Sequence, residues 1–196
     1  MTLVRQDPDR YNQTLDQVAP TFLTRDGHLL YARLIQASDW DELLAFFERL
    51  SSKTRRRRFH TDADRLTLER KQEIARELAG VDNLTEGGAV LAIDRSPDGA
   101  EKIVGVARLA RPAGSPDSDV VESAVVVQDD FQGRGVGTEL MFRMVLLAKQ
   151  MGAETLLAEF EPTNEAAIRL FREINLPTKI SASRGETSMH ITVPLD

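Results

Sequence analysis

Cysteine is absent from this sequence, and histidine is scarce. Without cysteine, disulfide bonds, thiolate zinc sites and a covalent acyl-cysteine intermediate are all excluded. The three histidines, His28, His60 and His190, do not stand at the spacing of metal ligands, so no role is assigned to them. A metal cofactor is therefore not expected.

The sequence also lacks an excess of positive charge and any long apolar run. Its formal net charge is −6 and its pI is about 5.2, which argues against general binding to nucleic acid or to anionic membranes. No apolar run reaches the ~20 residues that a membrane-spanning helix needs. The polar N-terminus shows no signal region. We therefore expect a cytoplasmic protein.

The length of 196 residues favours a single domain. Residues 1–26 are polar and have no clear period, so we interpret them as an N-terminal extension that precedes a domain at 27–196. Strand-like and helix-like patterns then alternate, as in an α/β protein. The predicted strands are 28–36, 89–94, 102–109, 120–127, 155–161, 179–182 and 187–193, and the predicted helices begin at Ser38, Asp62, Val136 and Asn164. Gly105, in the middle of a predicted strand, indicates a bulge or a close backbone approach.

A glycine-rich stretch, residues 132–138, connects the strand 120–127 to an apolar helix. Its three glycines stand at alternate positions, where they permit positive φ and let a ligand approach the backbone. A turn of this kind presents unpaired N–H groups at the positive end of the helix dipole, which suits a diphosphate, and Arg134 adds a charged donor. The spacing fits neither a P-loop nor a dinucleotide fingerprint. A tight strand-to-helix connection without a ligand remains the alternative.

The string Q-G-R-G-V-G at 132–137, after a strand and before a helix, resembles the acyl-CoA pyrophosphate loop of the GNAT N-acetyltransferases. Residues 164–171 are similar to that family's second cofactor segment, in which an Asn opens a helix. The resemblance extends from about Ala32 to the C-terminus. It implies an α/β (α+β) GNAT fold with a mixed, mostly antiparallel, splayed sheet of six or seven strands flanked by helices. It also implies acetyl-CoA as the acyl donor, without a metal.

The resemblance assigns cofactor contacts to particular residues. The backbone of the strand residues Val125, Val126 and Val127 would pair with the pantetheine amides. Asn164, Ala167 and Phe171 would flank the pantetheine arm. The residues that would hold the diphosphate are Gln132, Gly133, Arg134, Gly135, Val136, Gly137 and Thr138.

Glu122 is the one acid within the apolar strand 120–127. A rise of ~3.3 Å per residue puts it roughly 16 Å behind Val127, so that the acyl end of the donor would lie near residues 122–124. The reaction must deprotonate an ammonium, and burial makes a carboxylate a better base near neutral pH. We therefore predict that Glu122 is the general base. The alternative is that Glu122 only marks a solvent-facing side of the strand.

Residues 50–59 form a basic run, L-S-S-K-T-R-R-R-R-F. The pattern L-S-x-x-[ST]-R-x-x-R-F resembles a segment of bacterial protein lysine acetyltransferases that act on acyl-CoA synthetases, and those enzymes have a Glu at the position of Glu122. The resemblance implies a protein lysine as the acceptor. Arg55 and Arg58 share a helix face and are the predicted substrate-binding residues. As a functional element, the basic run would be a binding face for an acidic partner or for a phosphate of the cofactor. The alternative is a solvated turn and helix start.

Phe171 departs from the family pattern. Many members have a Tyr there, which protonates the departing thiolate, and Phe has no acidic proton. Water or another group must supply the proton, or the thiolate leaves unassisted, which a thiol with a pKa of about 8.5 tolerates. Three functions therefore stay open: a protein lysine acetyltransferase, a small-amine acetyltransferase and an acetyl-CoA-binding sensor without turnover. The protein is expected to be a monomer or a homodimer.

Overall fold

The computed structural model describes residues 8–59, 65–183 and 185–195. In chain order the strands of these parts are β1 (Thr21–Leu23), β2 (Leu29–Leu34), β3 (Gly87–Arg95), β4 (Glu101–Ala110), β5 (Val120–Val127), β6 (Thr155–Phe160), β7 (Thr178–Ser183) and β8 (Glu186–Thr192). They form one sheet in the order β1-β2-β3-β4-β5-β6-β8-β7. Neighbouring strands are antiparallel except β5 and β6, which are parallel.

The helices of the described residues are α1 (Trp40–Arg49), α2 (Ser52–Phe59), α3 (Leu68–Ala79), α4 (Val136–Gln150) and α5 (Glu165–Glu173). The helix predicted to begin at Asp62 begins at Leu68 in the structure, because the Thr67 hydroxyl caps it by accepting the Arg70 N–H at 3.3 Å. Residues 60–64 of that prediction lie outside the described residues. The predicted α/β class and the mixed, mostly antiparallel sheet are confirmed, with β1 as an additional edge strand.

Two apolar layers cover the sheet. On one face lies α4, whose Leu140, Met144 and Leu147 are fully buried. This burial agrees with the apolar residues that lie nearly all round this helix. On the opposite face α1 and α3 pack over β3 and β4 through a second cluster that includes Leu43 and Phe46. The sheet is therefore a middle layer between helices.

Residues 8–26 pack against α4 and α5. Tyr11 is buried, and its hydroxyl donates to the carbonyl of Ile174 at 3.1 Å. Burial raises the pKa of Tyr11 to about 12. Arg10 pairs with Glu139 of α4 at 3.3 Å. This segment thus adds a buried aromatic residue and an ion pair to the α4 side of the domain.

The centre of the sheet is splayed. β5 and β6 are paired only between Val120–Glu122 and Thr155–Leu157. Beyond that point β5 stays paired with β4 as far as Val127, while β6 stays paired with β8 as far as Phe160. The two strands therefore part, which confirms the predicted splay, and they leave an opening in the middle of the sheet.

The bulge predicted at Gly105 is present. Ala92 of β3 faces Gly105, but the next residue, Ile93, faces Ile103, so β4 contains one extra residue here. Gly105 also lies close against α4: an added Cβ would be 2.8 Å from Cδ1 of Leu140 and 3.3 Å from Cγ1 of Val136. The contact between β4 and α4 thus depends on the missing side chain.

We expect Gly105→Ala to lower the free energy of unfolding by about 1–2 kcal/mol, because the methyl group overpacks this contact. Urea unfolding followed by circular dichroism measures the change. Leu140→Ala removes the side chain that the methyl group would meet, so the cost of Gly105→Ala should be smaller in that background. The same cost in both backgrounds would contradict the close contact.

Candidate active site

A groove of about 740 Å³ opens where β5 and β6 part. Both strands, the glycine-rich stretch 132–138 (the glycine loop), α2 and α5 contribute to its walls. The predicted site residues that line it are Glu122, Val125, Val126, Val127, Gln132, Gly133, Gly135, Gly137, Thr138, Asn164, Ala167 and Phe171. The fold therefore brings together residues that are far apart in the chain.

The glycine loop has a backbone conformation that requires glycine. Gly133 and Gly135 have φ values of +72° and +91°, in the left-handed region that other residues rarely adopt. Gly135 is the residue at which α4 is capped, so the loop places the N-terminus of a 15-residue helix beside the groove. Gln132 fixes the loop to β5 because its Nε2 donates to the carbonyl of Val127 at 2.9 Å. The positive end of α4 suits a diphosphate here.

Two predicted residues of the loop do not line the groove. Val136 is fully buried in the core. Arg134 pairs with Asp26, with 2.8 Å between Nη2 and Oδ2, and its guanidinium lies 4.8 Å from the ring centroid of Phe131. The hydrogen bond from Arg134 lowers the pKa of Asp26 to about 2. Arg134 therefore holds the segment before β2 against the loop.

Arg25 lines the groove and was not predicted from the sequence. Its N–H donates to the carbonyl of Arg134 at 2.8 Å, and its Cγ would lie 3.3 Å from a Cβ added to Gly135. The backbone of Arg25 and the stem of its side chain thus lie against the glycine loop. Because Arg25 is more than a hundred residues from the loop in sequence, no local pattern relates the two.

Asp129 fixes α2 beside the glycine loop. Its carboxylate accepts hydrogen bonds from the Ser51 N–H (2.9 Å), the Ser51 hydroxyl (2.7 Å) and the Thr54 hydroxyl (2.8 Å). Burial acts to raise the pKa of Asp129, but these hydrogen bonds outweigh it and hold that pKa below its usual value. The polar residues of the basic run thereby position α2, which brings Thr54 and Arg57 to the groove.

Arg55 does not line the groove. Its Nη1 donates to the carbonyl of Leu50 at 2.6 Å, and its guanidinium lies 5.6 Å from the ring centroid of Phe47. Residues two apart on a helix point about 200° apart, so Arg57 lines the groove while Arg55 faces the end of α1. This position does not fit the predicted substrate contact. The side chain of Arg58 lies outside the described part of the chain.

The backbone of β5 is open towards the groove. The N–H of Gln128 donates to the carbonyl of Val104, so at this residue the backbone faces β4. Backbone direction alternates along a strand, so Val125 and Val127 face the other way. The carbonyl of Val127 indeed accepts from Gln132 on that side. Beyond Glu122, β6 no longer pairs with this edge, which leaves it available to amides of a ligand.

Glu122 lies at the inner end of the groove, where β5 and β6 are still paired. The expectation that it is buried is wrong, because its side chain is exposed to solvent in the fold. Arg108 of β4 stands opposite Ala124 and therefore shares the sheet face of Glu122. Burial lowers the pKa of Arg108, whose Nη1 donates to the carbonyl of Leu78 at 2.8 Å.

α5 supplies the wall opposite β5. Asn164 caps this helix, because its Oδ1 accepts the Ala167 N–H at 3.2 Å. Phe171 is buried and stacks on Phe160 of β6 with 5.9 Å between ring centroids. Both Asn164 and Phe171 border the groove. A helix cap and a groove residue are thus compatible roles for Asn164.

Neither of the two tyrosines lines the groove. Tyr11 donates its hydroxyl to Ile174 inside the core. Tyr31 belongs to β2, where its ring lies 4.1 Å from the guanidinium of Arg95. A tyrosine from another part of the chain therefore does not replace the acid that is missing at Phe171.

Within residues 8–59, 65–183 and 185–195, no three His, Asp or Glu side chains come together in a way that would hold a metal ion. No helix among the same residues is both long enough and apolar enough to cross a membrane.

A family model described as the acetyltransferase (GNAT) family matches residues 42–175, which is more than half of the chain. The chain belongs to the GNAT family. The match contains Glu122, the glycine loop and the cap at Asn164. Membership supports an acyl-CoA, in particular acetyl-CoA, as the donor and an amine as the acceptor of this GNAT protein.

Solved structures show the same fold. The GNAT domain of S. lividans PAT is 24% identical, with a TM-score of 0.74, and the match covers 88% of this chain and 95% of that one. The protein yncA from Salmonella typhimurium, solved with its cofactor acetyl-CoA, is 20% identical with a TM-score of 0.55, and the match covers 85% of this chain and 94% of that one. A cAMP-binding acyltransferase from Mycobacterium smegmatis is 21% identical with a TM-score of 0.58, covering 98% of this chain and 52% of that one. The present chain thus spans about half of that last protein.

We expect Gly133→Ala to raise the Kd for acetyl-CoA about tenfold, as the loss of one hydrogen bond to a charged group would. The methyl group strains a φ of +72° and stands between the backbone and the diphosphate. Gly152→Ala is the matched control, because its φ is +70° and an added Cβ also meets nothing within 4 Å, but Gly152 follows α4 and does not line the groove. Titration calorimetry of both variants checks this; equal Kd values would show that the loop does not bind the diphosphate.

Asp129→Asn should lower the melting temperature at pH 7, because the amide cannot accept all three hydrogen bonds. The pKa of Asp129 is lower in the folded state than in the unfolded state. Its carboxylate therefore contributes to folding stability above the unfolded pKa of about 3.9, and this contribution is lost as the pH falls through the folded pKa. The difference from wild type should therefore shrink below about pH 4. Thermal unfolding at several pH values measures this, with Asp130→Asn, an exposed neighbour, as the control. A difference that does not change with pH would contradict the role of the carboxylate.

Proposed function

We propose that this GNAT protein transfers an acetyl group from acetyl-CoA to the side-chain amine of a protein lysine, with Glu122 as the general base. The observation that carries the proposal is the order of groups along β5. The glycine loop, an unpaired strand edge and a carboxylate follow one another within a single groove. A diphosphate, the amides of an arm and a thioester follow one another in an acyl-CoA in the same order.

In the proposed reaction the amine nitrogen attacks the carbonyl carbon of the thioester, so that the N–C bond forms and the C–S bond breaks. Glu122 accepts the proton that the ammonium must lose, directly or through a water molecule. Since Glu122 is exposed, it can release this proton to solvent after each turnover. A backbone N–H near Val125 stabilises the negative charge on the carbonyl oxygen. The thiolate leaves without a tyrosine acid.

The rim of the groove favours a protein acceptor. Glu159 of β6 and Glu186 of β8 line the groove and are exposed, so they attract an ammonium group. β7 is exposed along its whole length, and Ile180 at its centre is 51% exposed. An open surface of this kind suits a protein, whereas a small amine needs an enclosed acidic pocket. The resemblance of residues 50–59 supports an acyl-CoA synthetase as the substrate protein.

We also propose that residues 27–196 form the acetyltransferase domain and that residues 1–26 are an extension with a supporting role. Arg25 and Asp26 contact the glycine loop through the backbone and the side chain of Arg134, which supports this role.

We expect Glu122→Gln to lower kcat about 10²–10³-fold at pH 7, because the amide cannot accept a proton. A lysine amine has a pKa of about 10.4, so more of the acceptor is neutral at higher pH and the deficit should shrink towards pH 9.5. Glu159→Gln is the matched control: it removes a carboxylate from the same groove and should change the KM for the acceptor rather than kcat. Release of free CoA measures both variants. Full turnover by Glu122→Gln at pH 8 would show that Glu122 is not the base.

The acceptor class is tested with radiolabelled acetyl-CoA and a soluble lysate of the source cell, with products separated by size. Label in macromolecules that disappears with Glu122→Gln supports a protein lysine acetyltransferase. Label confined to small molecules would replace this proposal with a small-amine acetyltransferase. No transfer, together with tight binding of acetyl-CoA, would indicate a sensor.

A further inference from the structure

A second cavity, of about 170 Å³, lies on the face of the sheet that α1 and α3 cover. Its walls are almost entirely apolar and include Leu43 and Phe46 of α1, Ala75 of α3 and Val106 of β4. Protein interiors are close-packed, and spaces much larger than a water molecule are few. A cavity of this size within a hydrophobic cluster therefore needs an explanation.

The cavity adjoins the groove at the site of the proposed reaction. Arg108, Ala124 and Val126 line both spaces. Glu122, Ala124 and Val126 alternate along β5 and point to the same face of the sheet, and Val126 packs against the α1–α3 cluster. The two spaces thus meet at Arg108, Ala124 and Val126, and Ala124, near which the acyl carbon of the donor would lie, has the smallest side chain of the three.

The two charged side chains at the cavity, those of Lys71 and Arg108, each have a polar partner. The ammonium of Lys71 pairs with Glu48 at 2.7 Å. The guanidinium of Arg108 donates to the carbonyl of Leu78 at the end of α3. Because these charged ends are paired, the aliphatic stems of both side chains can contribute to an apolar lining. The chemistry of the cavity therefore fits an uncharged hydrocarbon group.

We propose that this cavity receives the alkyl chain of a medium-chain acyl-CoA, so that the donor range of the enzyme extends beyond acetyl. The proposal rests on the proposed function, since it takes the groove as the acyl-CoA site. An apolar cavity of about 150 Å³ in another protein holds benzene, so about six carbon atoms fit here. With the carbonyl group in the groove, the size predicts chains of about six to eight carbons.

Binding of alkyl-CoA thioethers tests the proposal without requiring catalysis. Titration calorimetry compares ethyl-CoA, hexyl-CoA and dodecyl-CoA, none of which has a carbonyl group to transfer. We expect hexyl-CoA to bind about tenfold or more tightly than ethyl-CoA, since each additional methylene is removed from water. Dodecyl-CoA should bind no more tightly than hexyl-CoA, because the volume of the cavity has room for only about six carbon atoms. Equal affinities for ethyl-CoA and hexyl-CoA, or a further gain with dodecyl-CoA, would overturn the proposal.

Ala75→Leu fills the cavity from the α3 side, away from the groove, and Ala75→Val fills it partly if leucine disturbs folding. The advantage of hexyl-CoA over ethyl-CoA should fall to less than about threefold with leucine and to an intermediate value with valine. Ala148→Leu is the matched control, because Ala148 is also a buried helical alanine but belongs to α4 on the opposite face. It should keep the wild-type ratio. If Ala75→Leu leaves the affinity ratio of hexyl-CoA to ethyl-CoA unchanged, the alkyl chain binds elsewhere and the proposal is overturned.

Turnover separates this proposal from the proposed function. If no amine releases CoA from any donor, the proposed function fails, while the ratio of thioether affinities still reports on the cavity. If acetyl transfer occurs and Ala75→Leu raises only the KM for the acceptor, the cavity holds an aliphatic part of the acceptor, which overturns the acyl-chain assignment. A fall in kcat/KM for hexanoyl-CoA relative to acetyl-CoA supports it.

Discussion

The parting of β5 from β6 is the constraint on which the rest of the structure depends. A strand inside a sheet that loses its neighbour leaves backbone groups unpaired, and these need a ligand or water as a partner. β4 and β8 hold the two strands on their outer sides, so neither strand can move across to close the opening. The glycine loop and the predicted base take their positions from the two ends of that opening.

The chain has a net charge of −6, so binding of an anionic diphosphate depends on positive groups placed at the groove itself. Arg25 and Arg57 reach the groove from two segments that are distant in sequence, and the N-terminus of α4 adds its dipole. Asp26 and Asp129, the acids that pair with Arg134 and with the start of α2, do not line the groove. Asp26 holds Arg134 and Asp129 holds the start of α2, so each stabilises an element that presents positive charge.

Much of this site could be predicted from sequence, because its main parts are local. Short stretches of sequence encode the glycine spacing, the strand before it and the cap at Asn164. The bulge at Gly105 is likewise indicated by the sequence of a single strand. Arg25 and Arg57 could not be predicted, since their places depend on the docking of separate segments. The exposure of Glu122 was missed for a related reason: whether a residue of an apolar strand is buried depends on which distant segments pack over its side of the sheet, and Glu122 is exposed.

The same strand explains how donor and acceptor can be recognised side by side. The backbone of β5 lies in the plane of the sheet and faces the opening, while its side chains divide between the two faces. Val125 and Val127 pack towards α4, whereas Val126 packs towards α1 and α3. Glu122 and Ala124 share the face of Val126, so the predicted base is next to a residue that lines both the groove and the apolar cavity. If the cavity receives the acyl chain and Glu122 is the base, as proposed, a bulkier residue at position 124 would affect both acyl-chain length and proton transfer.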